Sequence, residues 1–159
     1  MSSKNLPNEP FYISLEVVLE IHRRQLKEFG GADGIRSLEG QEAAVATPKA
    51  TFDGKDLYPT VFAKAAAYAF HLAEARAFVD GNKRAALDVA LTFLAINGFE
   101  ISEESMELYD AMIAISYRSM TKDDLAELFE KLTSYFKFKK QVMYLGANDL
   151  IVEAPRVGS

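Results

Sequence analysis

The most constraining feature of the sequence is the run AALDVALTFLAINGF at residues 85–99. At helical spacing Leu87, Ala90, Leu91 and Leu94 share one face, while Val89, Phe93 and Ile96 fill much of the rest. A helix that is apolar nearly all round needs protein on every side. This one is therefore predicted to be central, ending at Asn97-Gly98. Directly before it stand Asp80, Gly81, Asn82, Lys83 and Arg84: an acid, a glycine, an amide and two bases in one run. At the start of a buried helix the first N–H groups lack an intrahelical acceptor, and the dipole favours an anion. The pattern points to an anion-binding, metal-assisted site. A simpler reading makes Asp-Gly a turn, Asp80 a helix cap, and Lys83 and Arg84 solvated surface.

The remaining segments read as helices with clear punctuation. Ser14 is placed to cap a first helix that stops at Gly30-Gly31, with His22 beside its apolar stripe as a structural, hydrogen-bonded residue. Phe11-Tyr12-Ile13 before it could form a short strand. A glycine-rich turn, Gly31 to Gly34, leads to a shorter helix after Ser37 that ends before Pro48. ATFDGKDLYPT, residues 50–60, carries Asp-Gly near its centre and reads as a hairpin, a plain connector or a flap. Thr60 to Glu74 is helical, with alanines that permit close packing. Ser102 is expected to cap a fifth helix running to about Ser119. Thr121 and Asp124 resemble a capping box opening a sixth. Beyond Phe138 two short apolar runs flank Gly146-Ala147-Asn148-Asp149, as a hairpin would. The expectation is an all-α domain over residues 11–137, a lead-in at 1–10 and a C-terminal extension at 138–159.

Composition narrows the function classes. With 159 residues the chain suits one domain, and a formal net charge of -5 opposes a broad nucleic-acid-binding surface. It leaves room for one local basic pocket. The absence of cysteine excludes disulfides, a thiol nucleophile and thiolate metal sites, and is compatible with a reducing cytoplasm. The polar N-terminus MSSKNLPNEP has no apolar core, so no secretory leader is expected, and no apolar run reaches membrane-spanning length.

The run Phe78-Val79-Asp80-Gly81-Asn82-Lys83-Arg84 resembles the death-on-curing (Doc) branch of the Fic family, whose signature is close to HxFxDxNKR. Gly31 to Ile35, ATFDGKDLYPT and LTFLAINGF are also similar to Doc-type sequences. The resemblance spans roughly Ile13 to Leu132 and implies an all-helical Fic fold with Phe78 packed beneath the motif. It further implies an ATP or other nucleotide site at the central helix N-terminus. Asp80 would hold Mg²⁺, and Gly81, Asn82, Lys83 and Arg84 would cradle phosphates. Such chemistry needs charge neutralisation and in-line positioning more than covalent help. Fic enzymes proper carry HPFxxGNGRxxR and transfer AMP. Here Lys83 replaces their second glycine and Leu87 their last arginine, both Doc-like changes. The resemblance thus implies a cytoplasmic bacterial toxin that phosphorylates elongation factor Tu and arrests translation. The self-inhibiting motif S/T-xxx-E-G/N of many Fic proteins is absent, since Glu39-Gly40 has Ile35 four residues before the acid. Inhibition in trans by a partner antitoxin is the corresponding expectation. AMP transfer and a non-catalytic pseudoenzyme are the alternatives.

One position departs from the signature. The histidine two residues before Phe78 is Arg76 here. In the family it is the general base, which arginine cannot replace because it keeps its proton. Five positions away, His71 would point roughly 140° from Arg76 if both shared a helix, so it is not expected to substitute. Arg76 is either natural, leaving a pseudoenzyme, or a detoxifying change, since histidine and arginine codons can differ by one base. The intact Asp80, Asn82 and Lys83 favour the latter.

Overall fold

The computed structural model describes residues 9–101 and 105–133. The lead-in up to Asn8, the Ser102 cap and the apolar runs beyond Phe138 lie outside the described residues. Helix α1 is Leu15–Phe29, α2 Leu38–Ala46, α3 Val61–Ala75, α4 Asn82–Ile96 and α5 Met106–Ser116. A further helical run, α6, occupies 122–133. Between α2 and α3 come a 3₁₀ turn, Thr47–Lys49, and two-residue strands β1 (Thr51–Phe52) and β2 (Lys55–Asp56). Among the described residues the fold is all-α, as expected, with this small hairpin added.

Local capping explains where most of these helices begin. The hydroxyls of Ser14, Ser37 and Thr60 accept bonds from the N–H groups of Val17, Gly40 and Ala63. Thr121 and Asp124 form the reciprocal box: each side chain accepts from the other's backbone N–H at 3.1 Å. The hairpin settles the reading of residues 50–60. Thr51 pairs with Asp56 and Phe52 with Lys55, and both turn residues, Asp53 and Gly54, have positive φ. A two-residue antiparallel turn demands that backbone.

Three expectations are corrected. Phe11-Tyr12-Ile13 is not a strand. Its backbone is satisfied by side chains instead: Asn97 takes the N–H and C=O of Phe11, and the Tyr68 hydroxyl takes those of Ile13. Burial pushes the Tyr68 phenol up to about 12, so it stays protonated. The fifth helix begins at Met106, with Ser105 at its N-cap, and ends at Ser116 rather than near Ser119. Finally, α4 is not covered along its whole length, because Ile96 in its last turn is 45% exposed.

The centre of α4 is nonetheless the core. Ala85, Ala86, Val89, Ala90, Leu91, Phe93 and Leu94 are all buried. They meet Ala65, Ala66, Tyr68, Ala69 and Leu72 of α3 and Val18 and Ile21 of α1. Small alanine side chains on α3 and α4 let the two backbones approach closely, and Tyr68 and Phe93 fill the remaining space with rings 5.1 Å apart. This packing fixes where α3 ends and α4 begins. The loop between them is thereby held at one place on the surface.

Candidate anion site at the start of the central helix

That loop is residues 76–81, and it is braced along its length by the glycine-rich turn after α1. The Ala77 carbonyl accepts bonds from the N–H groups of Arg36 and Ser37, and the Val79 N–H donates to Gly34. Ile35 and Phe78 form an isolated antiparallel bridge. The turn approaches so closely that a Cβ on Gly31 would stand 3.0 Å from an Asp80 carboxylate oxygen. Beneath the loop, the buried Phe78 ring stacks on His22 at 3.5 Å, within 4° of parallel. His22 Nε2 lies 2.7 Å from the Asp80 carbonyl oxygen. A carbonyl only accepts, so Nε2 carries the hydrogen. His22 is thus structural, as expected, and what it supports is the signature loop.

Each residue of the run then has a distinct setting. Asp80 is exposed, and its carboxylate accepts from the N–H groups of Gly81 at 2.9 Å and Ala32 at 3.3 Å. Those two backbone donors hold its pKa below the usual carboxylate range. Asp80 therefore does not cap α4, which rules out the simpler reading of that residue. The N-cap is Gly81, in left-handed backbone at φ 78, and no side chain caps the helix. The N–H groups of the first turn accordingly keep no intrahelical acceptor. The Asn82 side chain is bonded to the loop at both ends: its oxygen accepts from the Phe78 N–H and its nitrogen donates to the Phe78 carbonyl, each at 3.0 Å. It acts as a clamp that sets the loop's shape. Arg84 donates to the Gly30 carbonyl at 3.2 Å and lies over the Phe29 ring, while its buried Nε has no partner among the described residues. Lys83 is exposed.

These residues open into a cleft of about 770 Å³ between the end of α3, the start of α4 and the inner face of α5. The cleft gathers Arg76, Asp80, Gly81, Asn82, Lys83 and Arg84 into one site. Helix α5 adds Tyr109, Ile113 and Ser116, and the turn after it adds Arg118, none of which any motif spacing in the sequence marks. The charged lining is four cations (Arg76, Lys83, Arg84, Arg118) against two carboxylates (Glu74, Asp80). A locally positive cleft in a chain of net charge -5 concentrates anions at one place.

Arg76 closes α3 in left-handed backbone at φ 48, ψ 41, and its side chain has no hydrogen bond or ion pair among the described residues. The chain has two histidines and neither lines the cleft. His71 Nε2 is 2.9 Å from the Lys122 ammonium, which also donates to the Tyr58 hydroxyl. His71 therefore lies off the cleft lining, and Arg76 stands just past the end of α3 rather than within the same helix.

Two relatives and a family profile bear on these features. The Fic/DOC family profile matches residues 12–94. A protein named Toxin Doc from Mycolicibacterium smegmatis is 47% identical over 76 residues, covering 48% of this chain and 58% of its own length. Protein kinase doc of Escherichia phage P1 is 27% identical over 121 residues, covering 76% of this chain and 94% of its own. The profile spans more than half of the chain, from Tyr12 before α1 through the signature loop to Leu94 in the central helix, and the chain belongs to the Fic/DOC family.

Proposed function

We propose that the chain is a Doc-type transferase of a toxin–antitoxin pair, using ATP and Mg²⁺ to phosphorylate elongation factor Tu, and that Arg76 leaves it catalytically lamed. The observation that carries this reading is the cleft at the start of α4. An ionised carboxylate, an uncapped first helical turn and Lys83 and Arg84 converge there. The relatives named as a toxin and as a protein kinase support the class of activity.

The residues fit a metal shared with phosphates. Mg²⁺ takes one or two carboxylates and completes its shell with water and phosphate oxygens, and Asp80 offers one exposed, ionised carboxylate. No group of three or more His, Cys, Asp or Glu side chains is placed to hold a metal alone among the described residues. When bound, such an ion would offset charge on the transferring phosphoryl group. The chain's own residues do the rest. First-turn N–H groups of α4 and the cations at 83 and 84 bind and orient the phosphates, and Asn82 keeps the loop in register. The missing function is proton acceptance from the target hydroxyl. A guanidinium at position 76 stays protonated and cannot perform it.

Restoring that group is the test. Arg76→His, incubated with ATP, Mg²⁺ and elongation factor Tu, should raise transfer by about 10²–10⁴ over the unaltered chain. The mass added to the target separates phosphate from AMP. Expression of the variant without antitoxin should arrest growth, and co-expression of the antitoxin should relieve it. A restored protein that transfers nothing and leaves growth untouched would remove the toxin-kinase reading, leaving a binding protein.

A further inference from the structure

Two arginines on the cleft stand where a helix normally ends on glycine. After α5, the Arg118 N–H bonds the Ile115 carbonyl and the Ser119 N–H bonds the Ala114 carbonyl, at 3.0 and 2.9 Å. That pair of bonds is the Schellman ending, whose left-handed position is ordinarily Gly. Arg118 occupies it at φ 60, and Arg76 takes the left-handed position after α3 at φ 48. The one other non-glycine residue with positive φ among the described residues, Asp53, belongs to the hairpin turn. Left-handed backbone disfavours any residue bearing a Cβ, so the fold alone gives no reason for arginine at either place. Both arginines line the cleft, and neither side chain has a hydrogen bond or ion pair among the described residues. Exposed arginines need no partner, but two on strained helix ends facing one cavity call for a common cause.

We propose that Arg118 is a ligand-binding residue of the cleft, which together with Arg76 forms a second anion-binding subsite facing the cradle at the start of α4. The inference rests on the nucleotide reading above and sharpens it. One cradle suffices for a single phosphate. Cations on walls from α3, α4 and α5 suit an extended polyanion, so the cleft favours a nucleoside triphosphate, or its bare polyphosphate chain, over a monophosphate. Arg118 would supply the charge that reads chain length.

Calorimetric titration of the full chain with ATP, AMP, inorganic tripolyphosphate and orthophosphate tests this. The expected order places ATP and tripolyphosphate well ahead of AMP and orthophosphate. Arg118→Gly, which suits the left-handed position, should keep or raise the melting temperature while weakening ATP and tripolyphosphate binding by about tenfold or more. The slope of affinity against salt should fall with it. Arg36→Ala removes the same charge outside the cleft and sets the non-specific effect. Equal ATP affinity in Arg118→Gly and Arg36→Ala would overturn the role of Arg118 and leave the nucleotide reading standing. Failure of the unaltered chain to bind ATP or tripolyphosphate would overturn both.

Discussion

Helix α3 carries a cation at each end, and the fold treats the two in opposite ways. Lys64, in the first turn, has a side chain only 4% exposed. Its ammonium lies 3.1 Å from the Asp56 carboxylate, 3.4 Å from the Pro48 carbonyl and 5.8 Å from the Tyr12 ring centre. Arg76, at the far end, is exposed and without such partners among the described residues. A buried charge must be paired or hydrogen-bonded to persist. Lys64 is therefore consumed by structure: it ties the β-hairpin and the 3₁₀ turn to the helix. Arg76 spends nothing on the fold and remains open to a ligand. A count of charges along the sequence would treat them as equals.

The contrast can be tested from the strongest effect downward. Arg76→His should change activity by orders of magnitude and stability little, because histidine is among the residues that tolerate left-handed backbone. Measuring transfer and thermal melting on the same preparation checks both halves. Asn82→Ala comes next. It strips both partners from the buried Phe78 backbone, at a cost of about 2–3 kcal/mol by urea unfolding, and nucleotide affinity should fall as the loop loosens. At the other end of α3, Asp56→Ala should cost about 1–2 kcal/mol. That is less than for a wholly buried pair, because the Asp56 side chain is 51% exposed and Lys64 keeps Pro48 and Tyr12. Lys64→Met should cost no more than about 1 kcal/mol, since an apolar side chain can fill the same space. Nucleotide binding should survive both changes; a loss would mean the hairpin end is coupled to the cleft.

The smallest effect concerns pH. Burial, and then the Lys122 ammonium, hold the His71 pKa below its ordinary 6.5. The folded chain thus prefers neutral His71, whose Nε2 accepts from Lys122. Below pH 6.5 the unfolded chain takes up the proton first, so this residue's stabilisation declines as pH falls through the folded value. Above 6.5 it is fully present. His71→Gln should flatten that part of the stability profile, and an unchanged slope would show that another group carries it.

Much of this architecture was readable in the residues themselves, for reasons that are local. Ser14, Ser37 and Thr60 each cap a helix within three residues, and Asp53-Gly54 specifies its own turn. The Thr121–Asp124 box spans one helical turn, and the apolar wrap of Val89, Phe93 and Leu94 reveals a buried helix by period alone. The strand expected at Phe11–Ile13 failed because its partners are side chains 55 and 86 residues away. Asn82 illustrates the same limit inside the site: nothing in the spacing of the run shows that its amide bonds both backbone groups of Phe78.

The sequence by itself determined that a charged run, Asp80 to Arg84, opens a largely apolar helix, and that arginine stands at position 76. Those are statements about neighbours along the chain. Only the tertiary structure decided what surrounds the run: Ala32 donating to Asp80 across 48 residues, His22 beneath the Asp80 carbonyl across 58, and Arg118 on the facing wall. Packing of α1, α3 and α5 around α4 brings those groups together. No spacing rule encodes such contacts, because they depend on where whole helices end in space.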